Sequence, residues 1–498
     1  MKEPGAPPTC IDANFAPPTG SRDRKVGSVA ALHDQNKCAA HGEKRMHAGS
    51  VNGFTEPAHV RKACLVLPTH RECSATIAAM AAEAAHATAH FDVEVVFLIL
   101  DSTGETTRAG HAAAVRALPP ARNVTVLHLD EEAQRRFLTE VVAGAGHPEP
   151  DLIAGLMLPA GVSYGACTNR AFLIAAALGC DSVHRRDSDI EFQQHHGAPL
   201  YPIHHELTAL GRPAAEVAAD VSRVDLDPAD LGKPVVTAGA SYVGELSVDI
   251  EEIRQLDKQA YHDIVSLWAA EGTTEQEKRD LVAESFAGAD SEVFEQDDSL
   301  LCLVDPMRVD MGNISYHRVH EEIPLPPMTE TIGSDYFLIH LVPDSRLPGV
   351  LHNRHVINRH TPDRKTDAAF HPYHLRLAKF FLSMLYLHVI YERMGDEGER
   401  LLDADHRVRA DRVAAIVRES VDLDRAPNVR RLDELDHAYR RLGGRYAVFA
   451  ERLAPRREEL LDAAARDMAE FATLIDAWRS LVVAAKAAGP AALTGRAR

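Results

Sequence analysis

The sequence has little cysteine, little tryptophan and no long apolar run. Its seven cysteines (Cys10, Cys38, Cys64, Cys73, Cys167, Cys180 and Cys302) form no CxxC pair, so neither a disulfide framework nor a thiolate zinc site is indicated, and reduced thiols are expected. The most apolar helical stretch, Phe380 to Ile390, falls short of the ~20 residues a membrane-spanning helix needs. The opening MKEPGAPPTCIDANFAPPTG lacks a basic region followed by an apolar run, so it does not read as a secretory signal, and a cytoplasmic location is expected. Cationic charge is also short: 54 Lys and Arg face 73 Asp and Glu, a formal net charge of -19. That balance opposes non-specific nucleic-acid binding and disfavours an anionic lipid acceptor.

At 498 residues the chain exceeds what one simple core holds, and two folded units are expected. Residues 1–58, rich in Pro, Gly, Ser and Asn without a sustained period, read as a disordered extension. From Lys62 the texture changes. KACLVLPTHRE, an Ala-rich helix from Ser74 to His90, and VEVVFLILDST predict a parallel βαβ unit. The pattern repeats with a strand at Val124 to Leu129 and a helix from Glu131. Further strands are expected in SVHRR, KPVVTAGASYVGEL and SLLCLVDPMRVDM. From about Ala368 the periods are long and helical. The expected architecture is therefore α/β over 59–365, a mostly parallel sheet flanked by helices, followed by an all-helical domain at 366–498. The C-terminal helices are the expected seat of any homo-oligomer.

Ligands of open α/β sheets bind outside the carboxyl ends of the strands. Here those ends are polar: Pro68, Thr69, His70, Arg71 and Glu72 after the first strand, Asp101, Ser102 and Thr103 after the second, and Asp187, Ser188 and Asp189 after the fourth. Several carboxylates at strand ends suit a nucleotide with a hard divalent cation, which prefers oxygen ligands.

In these blocks the segment from Lys62 to about Arg364 resembles a GT-A glycosyltransferase, the nucleotide-sugar-dependent fold with an Asp-x-Asp motif. LVLPTHRE stands at the nucleotide-contacting turn, FLILDST at the strand whose Asp meets the base or ribose, and GVSYGACTNRAFLIAAALGCDSVHRRDSD at the glycine-containing loop, helix and Asp-x-Asp. The resemblance implies a nucleoside-diphosphate sugar held by Pro68, Thr69, Arg71, Glu72, Asp101, Asn169, Arg170, Arg186, Asp187 and Arg359. It further implies Mn²⁺ or Mg²⁺ on Asp187 and Asp189, closed by His355 or His360 from a late loop. TETIGSDYFLIHL resembles the segment supplying the base of inverting members, with Asp335 the first match and Glu330 the second, although the family more often has Glu-Asp there. The implied acceptor is a small molecule or peptide.

Adjacent strand residues face opposite ways, so only one of Arg185 and Arg186 is expected to meet a phosphate, and a structural salt bridge is the alternative for the pair. His195, His196, His204 and His205 cluster in QQHHGAPLYPIHHEL, where imidazole would suit zinc, but no HExxH helix accompanies them and they read as solvated loop residues. LPTHRECSAT contains no glycine, which disfavours a Rossmann dehydrogenase and a nucleotidyltransferase with a Gly-rich loop. A non-catalytic scaffold on a degenerate transferase fold is the alternative of a different class.

Overall fold

The computed structural model describes residues 60–494, apart from 247–249, 287, 290–291 and 360–366. The extension expected at 1–58 and the candidate ligand His360 therefore lie outside the described residues. Alternating small and branched apolar residues give β1 (Arg61–Thr69) two buried faces. Ala63, Leu65 and Leu67 pack toward one core, with Met80 and Ala84 of α1 (Ser74–His90), while Cys64 and Val66 join the other. β2 (Val93–Asp101) and β3 (Val124–Asp130) follow in parallel register, joined through α2 (Glu105–Ala117). Then come α3 (Glu131–Ala145), α4 (Pro150–Met157), α5 (Tyr164–Ala177) and β4 (Ser182–Arg186), the last parallel to β1.

Among the described residues the central sheet has nine strands. From one edge the order is β3, β2, β1, β4, Asn313–His317, Thr237–Gly239, Gly349–His352, Ser299–Cys302 and Arg223–Asp225. Asn313–His317 runs antiparallel to β4, pairing Asn313 with Arg186, so the sheet is mostly parallel but reverses direction next to β4. Crossing from a strand to its parallel neighbour takes a helix, which places α1 and α6 (Ile203–Ala209) on one face and α5 on the other.

Helices account for 55% of the structure and dominate its C-terminal region. The sequence division at 365 is not a break in packing. Val60–Arg498 forms one compact unit, and one apolar core runs from Val66, Leu98 and Phe172 to Phe381, Phe471 and Trp478. The long helix Arg457–Ala488 lies against α3 and α5, and the fully buried Trp478 indole donates to the His320 carbonyl at 3.1 Å. No helix among the described residues is long and apolar enough to cross a membrane.

Candidate functional site

A cleft of about 260 Å³ opens at the carboxyl ends of β1, β2 and β4. Its walls include Pro68, Thr69, His70 and Arg71 after β1, the loop from Gly161 to Tyr164, Arg170, Arg185, Asp187 and Asp189. Six residues expected at a nucleotide-sugar site thus share one cavity: Pro68, Thr69, Arg71, Arg170, Asp187 and Asp189. The glycine-containing loop is fixed by Glu330. Val162 N–H donates to its Oε1 at 2.8 Å, and Glu330 N–H donates to the Val162 carbonyl at 2.7 Å. A Cβ at Gly161 would stand 2.8 Å from that Oε1, and one at Gly165 only 2.0 Å from the Pro326 carbonyl, so bare backbone is needed for α5 to begin here. Ser163 caps the helix through its Oγ, and the α5 N-terminus faces the cleft, where its dipole favours an anion.

Arg185 is the hub of the site. Its guanidinium reaches Asp187 at 3.0 Å, Asp335 at 2.8 Å and the Met311 carbonyl at 2.9 Å. Burial alone would lower its pKa, but Asp187, Asp335 and Asp310 more than reverse this, so the charge is permanent. Asp189 pairs with Arg71 at 2.6 Å.

Asp310, which the sequence reading did not single out, approaches Asp187 across Gly312. A Cβ there would lie 2.9 Å from Asp310 Oδ1 and 3.2 Å from Asp187 Oδ2. Burial, then the neighbouring Asp187 charge, push the Asp310 carboxyl up to about 7. Two carboxylates converging on side-chain-free backbone form an oxygen donor set of the kind a hard divalent cation takes, and Asp187 is open to the cleft. Asp187 with Asp310 fits such a cation. Asp189 is committed to Arg71.

Several expected site residues are placed elsewhere. Asp101 is fully buried, and its carboxylate accepts from Thr103 N and Oγ1, from His111 Nδ1 at 2.8 Å and from His128 Nε2 at 2.7 Å. Although burial pushes its carboxyl up, those bonds hold it far below the usual range. His111 Nε2 accepts from Cys73 N–H at 3.0 Å, so the His111 proton sits on Nδ1. The cluster of Asp101, His111 and His128, whose ligand atoms lie within 4.8 Å of one another, is thus a completed hydrogen-bond network that fixes the β1–α1 turn, and Asp101 is not a ribose contact.

Arg186 faces away from the cleft, fully buried between Glu83 of α1 at 2.8 Å and Glu206 of α6 at 2.9 Å. It is a structural ion pair and not a phosphate ligand. Asn169 is also buried and exchanges two hydrogen bonds with the Leu325 backbone. Glu72 accepts from Ser74 N–H at the start of α1, and the exposed Arg359 pairs with Glu191 at 3.1 Å, while its N–H reaches the Asp189 carbonyl.

Asp335, expected as a base, is 4% exposed, off the cleft wall and held by Arg185. His355 lines a second cavity, 3.4 Å from Glu292. Its Nδ1 accepts from Ser241 N–H, so Nε2 carries the proton and offers no lone pair to a cation beside Asp187.

Residues 61–494 match the family of unknown function DUF6271. No curated protein matches the chain.

Proposed function

This chain belongs to the DUF6271 family, and we propose that it is a metal-dependent glycosyltransferase that moves a sugar from a nucleoside-diphosphate sugar to a small-molecule or peptide acceptor. One observation carries the reading: Asp187 and Asp189 line the same cleft as the Pro68–Arg71 turn and the Gly161–Tyr164 loop. This occurs at the carboxyl end of the parallel β3-β2-β1-β4 array, where ligands of open α/β sheets bind. The five described cysteines are all unpaired, which suits a reducing cytoplasm.

In this reading the donor's diphosphate lies between Arg71 and the α5 N-terminus, while Arg170, buried and donating to Gln134 Oε1 at 2.7 Å and to the Met157 carbonyl at 2.8 Å, braces the cleft wall. Asp187 and Asp310 would hold Mg²⁺ or Mn²⁺, which would supply charge neutralisation for a departing nucleoside diphosphate. Arg185 keeps Asp187 oriented, and Asp335 braces Arg185 from behind. Asp335 is then a positioning residue.

The arginine pairing of both motif aspartates favours a second reading, a scaffold whose cleft binds without reacting. Screening UDP-, GDP- and dTDP-sugars for slow hydrolysis with Mn²⁺ separates the two, since it needs no knowledge of the acceptor. Hydrolysis of one donor class, lost in Asp187→Asn, is expected. No hydrolysis of any donor, with or without metal, favours the scaffold.

A further inference from the structure

The histidines near residue 200 do not form one cluster. His195 meets His196 and Phe294 edge to face, and His205 pairs with Asp297 and stacks on His352. His204 turns the other way, toward the C-terminal end of α1. There His86 and His90, one helical turn apart and so on one face, meet it. His86 Nε2 lies 3.3 Å from His204 Nδ1, and the His90 ring stacks on His86 with centroids 4.0 Å apart. Tyr201 and Phe91 pack beside them and restrict the rings.

We propose that His86, His90 and His204 form a zinc site joining α1 to α6. Two imidazole nitrogens bound to tetrahedral zinc at roughly 2.0–2.1 Å stand about 3.3 Å apart, the separation found between His86 Nε2 and His204 Nδ1. His90 Nδ1–H donates to the His86 carbonyl at 2.8 Å, which leaves the lone pair on Nε2. A backbone carbonyl on the non-ligating nitrogen is the usual outer-shell partner of a metal-binding histidine. The three rings do not converge within 4.8 Å as they stand; the exposed His90 would have to turn its Nε2 toward the other two nitrogens, and water takes the fourth position.

Arg354, which lies near His204, is neutralised by a two-pronged pair with Asp297. All-nitrogen donors select Zn²⁺, Cu²⁺ or Ni²⁺ over Mg²⁺ or Mn²⁺, so this ion differs from the one proposed in the cleft. The histidines sit at the C-terminal end of α1, and the cleft opens beside the turn that precedes its N-terminal end.

The test titrates EDTA-treated full-length protein with Zn²⁺ by calorimetry, with Co²⁺ absorption as the reporter of tetrahedral nitrogen ligation. Wild type is compared with His90→Gln and with His204→Gln. His90→Gln is expected to keep its metal-free Tm, to bind one equivalent of Zn²⁺ fewer and to lose the zinc-induced rise in Tm, and His204→Gln is expected to lose the same equivalent. Equal stoichiometry, affinity and Co²⁺ spectra in wild type and His90→Gln would overturn the proposal.

Discussion

Arg185 and Asp187 face each other at 3.0 Å, and the other arm of the same guanidinium holds Asp335 at 2.8 Å. One buried cation therefore organises three carboxylates, counting Asp310, that would otherwise repel one another. Replacing it by Met leaves that charge uncompensated. Arg185→Met is expected to lose about 3 kcal/mol or more of stability at pH 7.5 by urea denaturation, together with donor binding. Unchanged stability would mean that the carboxylates are compensated elsewhere.

Asp335 distinguishes bracing from proton transfer. Asp335→Asn keeps the side-chain shape but weakens the hold on Arg185. A fall in kcat of roughly tenfold is expected, with the pH–rate profile keeping its acidic limb. Loss of that limb together with a fall of about 10²- to 10⁴-fold, the range of general-base contributions, would restore Asp335 as the base.

Asp344 closes the helix Phe337–Asp344 with Oδ2 buried and unpartnered, and burial pushes its carboxyl up to about 7. Because the folded pKa lies above the unfolded value, the folded chain binds the proton more tightly. Stability contributed by the protonated group is complete below pH 3.8 and is lost as pH rises through 7. Asp344→Asn, which stays neutral, is thus expected to be more stable than wild type by roughly 2–4 kcal/mol at pH 8. The gain should shrink steadily toward pH 5, and an equal Tm difference at both pH values would refute the assignment.

The half of the sheet from β1 to β4 was legible because its strands are long, apolar and separated by periodic helices, and because their carboxyl ends carry Thr69, Arg71, Asp187 and Asp189. The mixed half beyond β4 was less so. Gly349–His352 in that half, and Val356–Asn358 in a separate three-stranded sheet, are only four and three residues long, too short for a period to register, so the segment containing His355 read as a loop. Polar residues at a strand end do not announce which way they point. Arg186 turns from the cleft because Glu83 and Glu206, 103 and 20 residues away in sequence, receive it, and Asp101 does so because His111 and His128 saturate it. Asp310 escaped notice because only the register of Asn313–His317 on β4 carries it to Asp187.

The most direct test of the account is a calorimetric titration of the full chain with UDP- and GDP-sugars, with and without Mn²⁺, in wild type and Asp187→Asn. The account predicts saturable binding of one donor class that strengthens with Mn²⁺ in wild type and loses that dependence in the variant. Donor binding that ignores both the metal and the substitution, or no binding at all, would contradict it.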